Sequence, residues 1–452
     1  MIKIKLVAIA RDEAAYLPEW IFHHFYFGIN EIDIYVNNTL DNTNEILGKI
    51  SEDYPVNFIN SDSLFAASRT NFQSVVYNQA AVKAKSEGFT HVLFLDIDEF
   101  WTPADFSTAL PQVLERYSYP QVLNFNWLNH CSEKRFSRCF SKEINVISDP
   151  HVKTLFSLAS PWESVGVHNV LGENLRYTRA DGTLYDFKNS KHKALTDLTG
   201  IQHPYFIVHR KYRSQLEYIS LLGRGRANKL KIKDNRNGYY KQGAGKSIKF
   251  NSSKLNDYYN KYNSFLNDCD LNDLLIESRN YIVSRFETVK KMARTCSDSE
   301  LKLFYRLFSD ISLSEVLKIR KDLYKRINFE NFNSDRYFID FTFSRSIYLL
   351  IANLLKAFGF TRLAKRLAYR VFSDIEGDFK LSIVDAIEPV LIKNSCPKEI
   401  YADIYRDLAV RSYKNNSLFL AKQFIDKALE LRPDGPMIKK LHDDFTKKSN
   451  EN

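Results

Sequence analysis

Two periodicities alternate through the first hundred residues. Short stretches dense in β-branched and large apolar side chains, "KIKLVAIA", "EIDIYVNN", "VNFIN" and "HVLFLDIDEFW", read as strands. Longer stretches with apolar residues every three or four positions, "EAAYLPEWIFHHFYFG", "NTNEILGKI" and "TNFQSVVYNQAAVKAKSEGF", read as helices. The order β-α-β-α-β-α-β calls for a mainly parallel sheet with right-handed crossovers, a Rossmann-like α/β domain. Val92, Leu93, Phe94 and Leu95 show no polar alternation, as in a strand covered on both faces. Asp96, Asp98 and Glu99 therefore fall at its carboxyl end, the edge along which open α/β sheets bind ligands.

Beyond Thr102 the pattern loosens into strand-like pieces, "QVLNFNWL", "HVKTLFSL" and "QHPYFIVHR", between polar loops. A basic stretch follows, and from about Leu255 the signals are helical. The division expected from this is an α/β domain over 1–225, a basic linker or flap over 226–253 and an α-helical domain over 254–452. Near the end, Ala421, Ala428 and Pro433 are spaced as in a tetratricopeptide helix pair, and 350–374 forms a looser pair around Gly359. Such a helical domain is a surface on which a protein partner could dock.

Composition narrows the class only partly. With 452 residues the chain can build two or three domains. Five scattered cysteines without a C-x-x-C pair indicate neither a disulfide framework nor a zinc knuckle, which fits a reducing cytoplasm. The apolar run at the N-terminus is cut off by Arg11 and Asp12, too early for a signal peptide, and "SIYLLIANLLKAFGF" is interrupted by Lys356 before it could span a bilayer. A net charge of +10 draws in anions without choosing among nucleic acid, lipid and phosphorylated substrates. "GAGKS" at 243–247 lacks the earlier glycine of a phosphate loop, Tyr240 standing in its place. The basic stretch 224–249 reads either as a solvated face or as a flap over a diphosphate, with peripheral contact to an anionic inner membrane face as a further role.

The acids bear on chemistry. An aspartate after a strand often caps the next helix, and Pro103 would suit a helix start. Yet the first strand ends in Arg11, Asp12 and Glu13 and the second in Asn37, Asn38, Thr39 and Asp41, all expected on the same sheet edge as Asp96 and Asp98. Two carboxylates one residue apart suit a hard divalent cation, magnesium or manganese, that keeps positions open for substrate phosphates.

These stretches together, "LVAIARDEAAYLPEWIFHHFYFGINEIDIYVNNTLDNT" and "NFQSVVYNQAAVKAKSEGFTHVLFLDIDEFW", resemble the catalytic domain of family 2 and family 92 type glycosyltransferases, which have the GT-A fold. The likeness covers about 3–101 well and runs more thinly to about Gly225. It implies transfer of a sugar from a nucleotide diphosphate sugar, a UDP-sugar favoured, to an acceptor hydroxyl of a glycan or glycolipid, with inversion, in surface polysaccharide synthesis. Nucleic acid is not an expected partner. Carried over, in the D-x-D pair Asp96 would face the ribose or the metal and Asp98 would ligate the metal bridging the diphosphate, Asp12 would contact the base with Asn38 nearby, and His209 of "VHRKYRS" would complete the metal site. His168 of "VGVHNV" competes with His209 and is carried as a candidate catalytic group, although His-Asn departs from the family's paired histidines or His-Pro. For the general base, Glu163, Asp181 and Asp186 lie in loops, and Glu163 is favoured because Trp162 beside it could stack on the acceptor. Two other classes compete. A nucleotidyltransferase would carry a glycine-rich first loop, which "AIARDEAAYL" lacks, and a non-catalytic scaffold would have no use for the intact acids.

Overall fold

The computed structural model describes residues 2–131, 134–184, 204–225, 232–239, 245–330, 401–414 and 418–450. The chain divides into two compact units, Met1–Phe329 and Glu330–Asn452. The first opens as β1 (Ile4–Ala10), α1 (Leu17–Tyr26), β2 (Glu31–Val36), α2 (Thr43–Asp53), β3 (Val56–Asn60), α3 (Asp62–Ser68), α4 (Phe72–Ser86) and β4 (His91–Phe94). It continues as β5 (Glu99–Pro103), α5 (Leu110–Arg116), β6 (Val122–Cys131), β7 (Glu143–Ser157), the hairpin β8 (Ser164–Val165) and β9 (Val170–Leu171), β10 (Tyr177–Arg179) and β11 (Tyr205–Arg213). After α6 (Gln215–Leu222) and β12 (Lys246–Lys249) come the helices α7 (Ser252–Asp268), α8 (Asn272–Arg294), α9 (Leu301–Leu307) and α10 (Ser314–Glu330).

The sheet order β3-β2-β1-β4-β7-β6-β11-β5 has two halves. From β3 to β4 all pairs are parallel, as the alternation of elements requires. Beyond β4 the antiparallel pairs β4 with β7, β7 with β6 and β11 with β5 take over. In β4 the side chains divide as period two demands: Leu93 joins the core under α1 and α7, Val92 and Phe94 the core under α4. This is why the sequence there shows no polar alternation.

Glu99–Pro103 is a strand, not the start of a helix. The acids therefore cap no helix; they form a tight turn between two strands, closed by Glu99 N–H donating to the Asp96 carbonyl at 3.0 Å. The division also differs from a simple α/β-then-helical split. Tyr258, Tyr262 and Phe265 of α7 pack around Phe22 of α1. Helices α8, α9 and α10 build a second apolar core with Leu216, Ile219 and Leu222 of α6. Helical periodicity marks these segments correctly but carries no information about which core takes them in. In the second unit α11 (Tyr401–Lys414), α12 (Leu418–Leu431) and α13 (Pro436–Asn450) follow one another, with Ala421, Phe424, Ile425 and Ala428 buried on one face of α12. The looser repeat at 350–374 lies outside the described residues. No described helix is long and apolar enough to cross a membrane.

Candidate functional site

Three strand tips converge at the carboxyl edge of the parallel half. At the end of β1, Asp12 takes up φ 51°, and after β2 Asn38 takes up φ 46°; Asp and Asn are the non-glycine residues that tolerate the left-handed region best. The two loops are stitched together. Asp12 Oδ1 accepts from Leu40 N–H at 2.7 Å, Thr39 Oγ1 accepts from Asp12 N–H at 2.9 Å, and Asp41 Oδ2 accepts from Ala14 N–H at 3.0 Å. Arg285, far along the chain in α8, donates to Asp12 Oδ2 at 2.9 Å. The Asp12 side chain is only 2% exposed and its carboxylate is fully engaged. The resemblance assigns Asp12 to the nucleotide base; in this structure its carboxylate ties the two loops together. Asn38 is exposed, its N–H anchored on Asp62 Oδ1 at 2.6 Å, and its amide is free to meet a ligand.

At the third tip, Trp20 of α1 fixes the acidic turn by donating its indole N–H to the carbonyls of Asp96 at 3.1 Å and Glu99 at 2.8 Å. Glu99 is fully buried and turns back, accepting from Asp96 N–H at 2.8 Å. Between Glu99 and Asp96 lies the ammonium of Lys153 from β7, 3.1 Å from Glu99 Oε2 and 3.3 Å from Asp96 Oδ2. Lys153 is 1% exposed. Although burial pushes its pKa down, Asp96 and Glu99 more than offset this and hold it well above the ordinary lysine value. Burial likewise pushes the Glu99 carboxyl well up, Lys153 opposing it and Asp96 and Asp98 adding to it. Asp96 Oδ1 accepts from Gln73 at 3.2 Å, so both its oxygens are engaged while its side chain stays 38% exposed.

Asp98 points elsewhere. Because β5 pairs with β11 so that Glu99 stands opposite His209, the turn brings Asp98 Oδ2 to 3.7 Å from His209 Nε2. Burial disfavours the Asp98 charge, but His209, Arg213 and Arg236 overcome it and hold its carboxyl far below the usual range. The 3.7 Å gap is too long for a hydrogen bond. It is slightly wider than the roughly 3 to 3.5 Å between two ligands at about 2.1 Å from a shared cation, so a small turn of either side chain would bring both to one ion. Among the described residues, no group of three acids, histidines or cysteines could hold a metal by itself. Any ion here would draw further oxygens from a substrate.

Basic residues crowd round the acids. Arg213 and Arg224 pair with Glu13, and Arg224 also donates to the Arg11 carbonyl at 3.1 Å. Arg236 and Lys233 act on Asp98 from the basic stretch after β11. Burial, with Arg224 and Arg236 adding to it, lowers Lys233 to about 7. The edge thus combines an acidic turn with a wall of guanidinium and ammonium groups, an arrangement suited to a polyanion carrying a cation or a ribose.

The remaining expected groups fall into two sets. His168 joins a row of rings, 5.1 Å from Trp127 and 4.8 Å from His151; Trp127 in turn touches His209 at 4.2 Å. Glu163 does not join them among the described contacts. Its Oε1, expected on the general base, accepts from Glu173 N–H at 3.0 Å, an interaction that staples the β8–β9 hairpin. Asp181 caps its own turn through Thr183, and Asp186 lies outside the described residues, as do most of 226–244. Lys153, His151 and Arg285 escaped the sequence reading. For Lys153 a signal existed: a lysine inside the apolar run "HVKTLF" needs a buried counter-charge.

No family model matches the chain, and no curated protein matches it. Among solved structures, S. aureus TarS 1-349 is similar with a TM-score of 0.23 and 12% identity, over 75% of this chain and 93% of that one. The same fragment in complex with UDP gives 0.22 and 12%, over 75% and 93%. A further structure of S. aureus TarS gives 0.20 and 13%, over 30% of this chain and 23% of that one, so the chain matches less than a quarter of its length. At these TM-scores the overlaps carry no weight for function, which rests on the residues at the sheet edge.

Proposed function

We infer that this chain is a metal-assisted glycosyltransferase that transfers a sugar from a nucleotide diphosphate sugar, a UDP-sugar favoured, to an acceptor hydroxyl. One observation carries the reading: Asp98, held ionised by His209, Arg213 and Arg236, stands at the carboxyl edge of the parallel strands inside a basic wall. Breaking a sugar–diphosphate bond develops negative charge on the departing oxygens, and preorganised cations around that position are what lowers such a barrier. Asp98 and His209 would hold a divalent ion, which would supply Lewis-acid neutralisation of the same charge. Asp96, fixed by Lys153 and Gln73, keeps an exposed carboxylate for a ribose hydroxyl, and Asn38 offers an amide at the neighbouring tip. Arg213, Lys233 and Arg236 would bind the diphosphate. A glycan or glycolipid acceptor follows from the family resemblance.

The test is release of UDP from UDP-glucose, UDP-galactose and UDP-N-acetylglucosamine in the presence of manganese, with GDP-mannose in parallel. The reading predicts turnover of at least one UDP-sugar; absence of turnover from every donor would contradict it. A pH dependence follows from Lys233. It is charged below about pH 7 and neutral above, so its hold on a diphosphate is present at pH 6 and lost by pH 8. UDP affinity of the wild type, taken relative to Lys233→Met at each pH, should fall by about tenfold over that interval. Identical pH dependence of the two proteins would remove Lys233 from the site.

A further inference from the structure

One polar assembly stands beside the acids without a share in holding the diphosphate. Strands β6 and β7 pair in register from Val122 opposite Phe156 to Asn126 opposite Val152, and the register then shifts so that Trp127 faces Asp149. The extra residues of β7 are Pro150 and His151. Bulges of this kind re-aim side chains and are frequent next to active sites. Here the bulge lays the His151 ring on Trp127, centroids 5.0 Å apart and planes 28° from parallel.

The imidazole is held in one orientation. Its Nδ1 lies 2.5 Å from Asp149 Oδ1, and Asn129 donates to the other Asp149 oxygen at 2.8 Å. A carboxylate only accepts, so Nδ1 donates to it and, in the neutral ring, Nε2 is the nitrogen left with a lone pair. The His151 side chain is 43% exposed against 15% for Asp149: the carboxylate is tucked away and the ring faces solvent. Trp127, on which His151 rests, also touches His209 at 4.2 Å, and His209 faces Asp98. His168, the neighbouring ring, is worse placed for proton transfer: its Nδ1 is turned to the Val152 carbonyl, and burial, with Lys153 and His151 adding to it, lowers its pKa to about 4.

We propose that His151, oriented by Asp149, is the general base that removes the proton from the acceptor hydroxyl. The inference rests on the glycosyltransferase reading above. In the step, Nε2 takes the hydroxyl proton as the acceptor oxygen forms its bond to the anomeric carbon. The bond from that carbon to the diphosphate oxygen breaks, its electron pair leaving with UDP, and the imidazolium then returns its proton to water. Asp149 is a positioning residue that fixes the tautomer and steadies the imidazolium.

The experiment uses the full chain, whichever UDP-hexose gives the fastest UDP release, and water as acceptor. His151→Ala should lower kcat by about a hundredfold or more, leave UDP affinity within about twofold, and regain turnover on addition of free imidazole. Asp149→Asn should lower kcat with the KM for donor unchanged. Turnover by His151→Ala within about threefold of wild type would overturn the assignment and leave the glycosyltransferase reading intact. Loss of turnover together with UDP binding, without imidazole rescue, would also overturn it, by making His151 a structural residue. Failure of the wild type to bind UDP would instead remove the underlying reading.

Discussion

Replacing Asp98 by Asn should slow UDP release by about a thousandfold, the equivalent of about 4 kcal/mol of transition-state stabilisation. The size follows from what converges on this one carboxylate. Its charge is held by His209, Arg213 and Arg236 against the cost of burial, and it is the only acid of the turn whose oxygens are not already taken by Lys153. Asparagine preserves volume and the Asp98 carbonyl that accepts from Arg210 N–H at 2.7 Å, so the fold should survive. It removes the charge through which a cation would be held. Circular dichroism and thermal unfolding close to wild type would separate lost chemistry from lost structure. Turnover within tenfold of wild type would move the catalytic centre away from the acidic turn.

Lys153→Met should have the largest effect on stability. The ammonium is almost completely buried between Glu99, itself inaccessible to solvent, and Asp96. Methionine fills a similar volume but leaves a buried carboxylate without its counter-charge, a loss of about 3 to 5 kcal/mol. For a compact unit of this size that should lower Tm by roughly 4 to 7 °C. Glu99→Gln on the same background should recover a good part of the loss, because a neutral amide there can still accept from Asp96 N–H. A Tm unchanged in Lys153→Met would contradict the buried pairing. Turnover should fall as well, since Asp96 loses the contact that directs it.

The acidic turn shows what the sequence makes legible and what it hides. Asp96 and Asp98 could be placed on the correct sheet edge because strand and helix periods alternate cleanly up to Leu95 and the topology of parallel strands does the rest. His209 was within reach because it ends an apolar strand, and the register of β11 against β5 brings it to Asp98. What spacing along the chain does not carry is how side chains pair within loops and across long separations. Glu163 reads as a free acid beside a tryptophan, yet it serves a hairpin whose two-residue strands have no sequence signature. Arg285 closes on Asp12 from a helix more than two hundred and fifty residues away, a contact that only tertiary packing decides. The His151–Asp149 pair depends on a register shift between β6 and β7, and a local shift of register is invisible to residue spacing. The basic stretch was visible as charge, while the fact that Lys233 and Arg236 act on Asp98 comes only from the fold.

The most direct measurement is calorimetric titration of UDP into the purified chain, with and without manganese, repeated on Asp98→Ala. The account predicts that manganese tightens UDP binding to the wild type by at least about tenfold, the basic wall alone giving the weaker binding, and that this gain disappears in the variant. No binding of UDP to the wild type under either condition, or a manganese effect that persists without the Asp98 carboxylate, would contradict it.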